Sequence, residues 1–358
     1  MSDSGFYDWE RTCSYRADVT FVIAARDRGK TFGLRLRSLR RAISRGTRWV
    51  EVCRHKDEIP GVMQGYFDRL GALPEFDGLE FVAEGRRGKF RRKGETDDGD
   101  GTGKKGPWTV ACYFCALTEA QKLKKQTYLN VDTIIMDEAL VERVSPASRY
   151  LPREPQVLAN LVDTVTREVP GVPHPAPHLY LLANSVDLVN PYFAQWGIDR
   201  APERGYSWHA GHLVLLHYEE PTQTTARRAA ETLAGRMMSG TAEGATALRN
   251  EFDAGDESTI ARRPAEARFW FGIHYRGAAF GIWHERGDDL FFVDRKIPDG
   301  GKAFALTRRD GRVDRIQARR STRALRALAE GWFAGQLRFD TPATREGLLD
   351  ALRMFGVT

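Results

Sequence analysis

The sequence predicts a predominantly parallel α/β sheet followed by a smaller α/β unit, on three observations. Continuous apolar, β-branched runs recur at 19–25 (VTFVIAA), 133–136 (TIIM) and 179–183 (LYLLA), the mark of strands covered on both faces. Stretches with helical spacing lie between them, notably 32–43 and 157–165. From residue 267 the pattern changes to three short aromatic strands, 268–275, 278–283 and 290–293, separated by turn residues as in an antiparallel meander. Helices over 322–335 and 344–355 close that unit.

With 358 residues the chain exceeds one comfortable core. The boundaries fall at 1–220 for the parallel unit, 221–258 for an Ala-rich helical linker broken by Gly235, Gly240 and Gly244, and 259–358 for the second unit. Within the first unit, 49–53 and 213–218 read as further strands. The strands at 80–83 and 109–114 flank a very polar segment, 85–106, expected to stay mobile at its tip.

An apolar fraction of 42% and a charged fraction of 28% are those of an ordinary globular protein. The net charge of +6 is modest, but arginines cluster, as at Arg35, Arg37, Arg40 and Arg41, which favours a polyanionic partner. No apolar run approaches the ~20 residues of a membrane span, and the acidic N-terminus lacks a signal-peptide pattern. Four cysteines are too few to staple the fold and fit a reducing interior. Cys112-x-x-Cys115 has no second pair or nearby His, so two strand cysteines are expected there rather than a zinc site.

The chemistry concentrates after the first strand. Residues Ala24, Ala25, Arg26, Asp27, Arg28, Gly29, Lys30 and Thr31 form a strand–turn–helix segment close to G-x-x-x-x-G-K-[ST], with Ala24 at the first glycine position and Asp27 where a glycine is usual. Such a turn aims backbone N–H groups and a lysine at phosphates, and its hydroxyl holds magnesium. The strand 133–136 then stops at Asp137 and Glu138. Asp137 is expected to join Thr31 at Mg²⁺, and Glu138 to act as general base towards water. Asn184, at the end of the strand 179–183, suits a γ-phosphate sensor. Arg167, after the helix 157–165, suits a finger reaching a neighbouring subunit's nucleotide. Within 85–106, Arg86, Arg87, Lys89, Arg91 and Arg92 suit a phosphate backbone.

The segments FVIAARDRGKT, TIIMDEA, LVDTVTR, LANSVDLVNPYF and LRFD, in that order, resemble the DNA encapsidation ATPases of small podoviruses, compact relatives of the terminase large subunit. The resemblance runs over nearly the whole chain. It implies a P-loop NTPase of the additional-strand, catalytic-glutamate class with a C-terminal ribonuclease-H-like domain. It also implies ATP and Mg²⁺ as ligands and a homomeric ring, a pentamer by resemblance, on the portal of an empty procapsid. Double-stranded DNA would be threaded inward, with the need for a packaging RNA left open and the host cytoplasm as the setting. On this resemblance Arg26 is the arginine of the phosphate loop, Arg167 the finger acting in trans, Asn184 part of a coupling motif, and Arg54 and Lys56 face the DNA.

A nuclease of the ribonuclease-H type needs several carboxylates, one of them on its first strand. The strand 268–275 (RFWFGIHY) carries none and Asp294 is the one well-placed acid, so nuclease activity is not expected. A basic edge of Arg308, Arg309, Arg312, Arg315, Arg319 and Arg320 suits docking or DNA grip. Two other readings of the residues stand beside this one: a phosphotransferase of nucleotide-kinase type, and a degenerate P-loop scaffold that binds nucleic acid without hydrolysis, with Asp27 as its best support.

Overall fold

In this computed structural model the described residues are 6–25, 28–94, 106–141, 149–167, 175–184, 190–198, 202–219, 227, 231–238, 259–319 and 321–355. The chain forms two compact units: Met1–Ser185 with Pro202–Glu251, and Val186–Ala201 with Phe252–Thr358. The boundary read at 220 therefore misses one feature, because residues 186–201 belong with the second unit. There the short helix α7 (Pro191–Trp196) buries Tyr192 and Phe193, and Asn190 caps it by accepting from the Phe193 N–H at 2.9 Å.

The first unit is a nine-stranded sheet. Its strands are β1 (Val19–Ile23), β2 (Arg48–Cys53), β3 (Leu79–Glu84), β4 (Arg87–Arg92), β5 (Thr109–Ala116), β6 (Val131–Met136), β7 (His178–Ala183), β8 (Gly205–His209) and β9 (Val214–Tyr218). The order is β3-β4-β5-β2-β6-β7-β1-β9-β8. From β5 to β9 every neighbouring pair is parallel. Strand β7 lies between β1, which feeds the phosphate loop, and β6, which ends at Asp137. That inserted strand is the feature defining the additional-strand class. Burial of nearly all of β1, β6 and β7 explains their uninterrupted apolar sequences.

Helices α1 (Trp9–Ser14), α2 (Lys30–Arg45), α3 (Glu58–Met63), α4 (Asp68–Gly71), α5 (Ala120–Leu123) and α6 (Glu154–Val165) belong to this unit, as does the short helix Leu233–Met238. Helix α2 buries Leu34, Ser38, Leu39 and Ala42 and ends at Gly46, left-handed at φ +66°. Its arginine stripe is largely consumed inside the fold. Arg35 grips the buried Glu51 through two bonds of 3.0 and 3.1 Å, Arg41 donates to the buried Asp132 at 2.9 Å, and Arg40 pairs with Glu75. Reading that stripe as a nucleic-acid surface is corrected for Arg35 and Arg41, whereas Arg40 stays exposed in its pair with Glu75.

The polar segment is also more ordered than its composition suggests. Gly85 and Arg86 both take positive φ, +57° and +60°, and make a two-residue turn between β3 and β4. Strand β4 then pairs with β5, and Gly88 sits where a Cβ would meet the Cys112 sulfur and the Phe67 ring. Cys112 and Cys115 are both free and buried in β5. The acidic centre of the segment, 95–105, lies outside the described residues, as does most of the linker.

The second unit carries a six-stranded sheet in the order β14-β13-β10-β11-β12-β15. Strands β10 (Arg268–Tyr275), β11 (Ala278–Glu285) and β12 (Leu290–Asp294) form the meander, and β13 (Ala303–Ala305) and β14 (Ile316–Gln317) follow in parallel beside β10. An antiparallel triplet extended by two parallel strands is the ribonuclease-H-like order. The short β15 (Leu337–Phe339) pairs with β12, and helices Arg323–Phe333 and Pro342–Leu352 pack against the sheet core. Asp310 is buried and closes the β10–β11 turn by accepting from the N–H groups of Arg276 and Gly277 at 2.7 and 2.8 Å. Arg308, Arg309, Arg312 and Arg319 are exposed, Arg315 folds back onto the Asp310 carbonyl at 2.9 Å, and Arg320 lies outside the described residues.

Two contacts tie the start of the chain and the phosphate loop to β9. The Tyr7 hydroxyl lies 2.6 Å from His217 Nδ1 and 2.9 Å from Thr12, and the Tyr206 ring stacks on His217 at 3.9 Å. Arg28, nearly buried, grips the Glu219 carboxylate with Nε and Nη2, at 2.6 to 3.1 Å.

Burial, with Arg11 adding to it, pushes His217 from its ordinary 6.5 down to about 4. The unfolded chain therefore binds this proton first. Stability from His217 is complete above pH 6.5 and is lost as pH falls towards 4, by up to about 3 kcal/mol. Urea unfolding of wild type against His217→Gln between pH 7 and 4 should show the wild type losing the larger share. Removing Glu219 leaves Arg28 charged and buried, so Glu219→Ala should cost on the order of 3 kcal/mol in the same assay.

Candidate nucleotide site

Parallel strands deliver their C-terminal ends to one edge of a sheet, and the residues singled out by sequence meet at that edge. Past β1, the Ala24 N–H donates to the Ala183 carbonyl at 3.1 Å, keeping the loop beside the end of β7. The loop closes at Gly29, left-handed at φ +66°. Glycine accepts this backbone without a Cβ penalty, and a Cβ here would press on the Phe6 ring at 2.8 Å. Gly29 is also the N-cap of α2 and offers no side chain to the first helical N–H groups. Those donors and the positive helix end are left for an anion.

Lys30 opens α2 and is 9% exposed. Its Nζ turns back over the loop to the Ala24 carbonyl at 3.2 Å, the Ala25 carbonyl at 3.5 Å and Asn184 Oδ1 at 2.7 Å. A buried ammonium needs such acceptors. Here one of them is the residue expected to sense the γ-phosphate. Thr31 donates to Asp137 Oδ2 at 2.7 Å, and Asp137 Oδ1 accepts the Glu138 N–H at 2.9 Å. A hydroxyl and a carboxylate oxygen in contact are hard oxygen donors of the kind magnesium takes, so the residues present fit the ion.

Glu138 follows in left-handed backbone at φ +52° and is exposed. The next residue re-enters the sheet, with the Ala139 N–H on the Leu182 carbonyl at 2.8 Å. Lys30, Thr31, Asp137, Glu138 and Asn184 are thus brought together from three strands. Arg167 stands exposed beyond α6 and donates to the Lys124 carbonyl at 3.3 Å, outside this cluster. Arg26 and Asp27 lie outside the described residues.

Several expected roles change. The Arg28 side chain grips Glu219, just past β9. Arg54 does not face outward: its guanidinium is 11% exposed and paired with Glu154, itself fully buried. Arg86 pairs with Glu119 at 2.6 Å and Lys89 with Glu84 at 3.3 Å, whereas Lys56 and Arg87 are exposed. A cavity of about 520 Å³ lined by Lys56, Ile59, Met63, Gln64 and Arg86 lies on this side. Glu154 and Glu219 were missed, and no local signal marks them. Each is a lone acid whose partner is 100 or 191 residues away.

In the second unit Asp294 is occupied on both oxygens. It accepts from Trp283 Nε1 at 3.0 Å, from the Lys296 N–H at 2.9 Å and from Arg263 at 3.1 Å.

The family model described as Podovirus DNA encapsidation protein (Gp16) matches residues 1–354. The DNA packaging protein of Bacillus phage PZA is 30% identical over 348 residues, and that of Bacillus phage phi29 is 29% identical over 348. Each match covers 96% of both chains. A chain of the bacteriophage Phi-29 viral genome packaging motor assembly superposes with a TM-score of 0.68 at 26% identity, over 98% of this chain and 100% of that one. A chain of the Phi-28 gp11 DNA packaging motor gives the same score at 18% identity, covering 97% and 98%, a likeness of fold. With the loop, the acidic strand end and the inserted strand in place, the chain belongs to the Podovirus DNA encapsidation protein family.

Proposed function

We propose that this chain is an ATP-driven translocase that packages double-stranded phage DNA into a procapsid through the portal. The observation that carries the reading is the pair of 2.7 Å contacts, Thr31 to Asp137 and Lys30 to Asn184. They join the phosphate loop to the acidic strand end and to the sensor position.

Each group then has a task set by its place. The open N-terminus of α2 and the Lys30 ammonium take the phosphates, and Lys30 exchanges its bond with Asn184 for one to the γ-phosphoryl oxygen. Thr31 and Asp137 would hold Mg²⁺, which supplies charge neutralisation at the β- and γ-oxygens. Glu138 takes the proton of the attacking water. Asn184, released by Lys30, reports the γ-phosphate to the chain that follows β7. Arg167, exposed and outside the cluster, suits insertion into a neighbouring subunit's site, which requires a ring. We read that ring as a pentamer on the portal, with or without a packaging RNA, in the host cytoplasm; the likeness to a chain of a viral genome packaging motor assembly supports a multi-subunit motor. Among the described residues no helix is long and apolar enough to cross a membrane.

DNA contact is assigned to exposed cations, Lys56 and Arg87 in the first unit and Arg308, Arg309, Arg312 and Arg319 in the second. Such contacts are independent of sequence and sensitive to salt. No nuclease activity is proposed, because β10 carries no acid and Asp294 is engaged by Trp283, Lys296 and Arg263.

ATPase rates with and without double-stranded DNA test the reading. Wild type should be stimulated by DNA. Glu138→Gln should lose ~10²–10⁴ in rate and Arg167→Ala ~10³–10⁵, and an equimolar mixture of the two should regain activity through mixed interfaces. An unstimulated wild type with an active Glu138→Gln would remove the hydrolytic assignment. An inactive mixture would place Arg167 in its own subunit's chemistry.

A further inference from the structure

Arg54 ends a parallel strand beside the catalytic edge, a position from which a side chain can reach either outward or across to the next strand end. It reaches across. Nη2 donates to the Glu138 carbonyl at 3.2 Å and to the Ala139 carbonyl at 3.0 Å, and Nε and Nη2 grip the two Glu154 oxygens at 2.9 and 3.0 Å. The Tyr150 ring lies 5.6 Å from the guanidinium carbon. Glu154 opens α6, is fully buried, and also takes the Leu151 N–H at 2.8 Å.

Glu138 needs such support. A non-glycine residue in left-handed backbone carries a steric cost, and this one is the residue assigned to polarise water. Bonds to the carbonyls of two successive residues, Glu138 and Ala139, fix that turn. A planar guanidinium can hold both oxygens of a carboxylate in a fixed fork while serving the carbonyls, a geometry that the compact ammonium of lysine does not match. Backbone bonds also tie Arg54 to the basic side of the unit. The Arg54 carbonyl accepts the Thr118 N–H at 3.3 Å, Thr118 Oγ1 accepts the Lys56 N–H at 3.2 Å, and the next residue, Glu119, pairs with Arg86.

We propose that the Arg54–Glu154 pair positions Glu138 for hydrolysis, and that Arg54 is a positioning residue rather than a DNA ligand. The proposal rests on the hydrolytic role given to Glu138.

The test measures kcat and KM for ATP, equilibrium affinity for a non-hydrolysable ATP analogue, and affinity for double-stranded DNA against salt. The variants are Arg54→Lys, Glu154→Gln, their combination, Arg54→Gln, and Glu138→Gln. Arg54→Lys and Glu154→Gln should each lower kcat ~10–100-fold, the usual scale for losing a group that orients a reacting one, with analogue affinity within about twofold. The double variant should fall no further than the worse single, since both act through one turn. DNA affinity and its salt slope should stay at the wild-type value in Glu154→Gln and Arg54→Gln, because Arg54 is turned inward.

An unchanged kcat in both single variants, with Glu138→Gln inactive, overturns the positioning role and leaves the hydrolytic reading intact. A DNA salt slope reduced by about one in Arg54→Gln, which removes the charge, with kcat without DNA unaltered, also overturns it, because that is the signature of a phosphate contact. Full activity of Glu138→Gln would instead mark failure of the underlying assignment.

Discussion

The hydrogen bond from Thr31 to Asp137 depends on almost everything else in the first unit, and almost everything at the site depends on it. Its 2.7 Å length requires α2 to start directly beyond β1 and β6 to end at the same level, two strands away. Parallel register makes that possible: β7 pairs residue by residue with β1 on one side and β6 on the other, so three strand ends finish together. The same register places Asn184, one residue past β7, within 2.7 Å of Lys30. A shift of one residue in β7 would turn its side chains to the other face and part Asn184 from Lys30.

The arginines show how far charge in a sequence differs from charge on a surface. Arg28, Arg35, Arg41, Arg54 and Arg86 are each spent on an acid within the first unit, most of those acids being buried. Each pair joins two different elements, at separations from 16 to 191 residues, so these residues fix architecture at positions where basic side chains suggested a partner. The cations left exposed, Lys56 and Arg87 among them, would reach a polyanion through long-range charge. Grip of that kind is screened by salt and indifferent to base sequence, as a translocating motor requires.

Legibility of the sequence followed burial. Strands β1, β6, β7, β10, β11 and β12 were readable because buried or aromatic strands write continuous apolar runs. Strand β4 (RGKFRR) was not, since it lies near the sheet edge and its order comes from the Gly85–Arg86 turn and pairing with β5. Strands β8, β13, β14 and β15 have two to five residues each, too few for any period to show. At the site, Lys30, Thr31, Asp137 and Asn184 could be found because local motifs carry them. Arg54, Glu154 and Glu219 could not be assigned correctly, because their roles exist only across 100 or more residues of folded chain. The left-handed backbone of Glu138 was equally hidden, since no glycine or asparagine marks it.

The central claim is that Glu138, held at the end of β6 beside the Thr31–Asp137 contact, drives hydrolysis of a nucleotide bound at Gly29–Thr31. Single-turnover hydrolysis of pre-bound ATP in wild type and Glu138→Gln measures this most directly, because binding is complete before chemistry is read. The account predicts equal ATP occupancy in both, with rapid conversion to ADP in wild type and retention of intact ATP in the variant. Equal rates of ADP formation in the two proteins would contradict it.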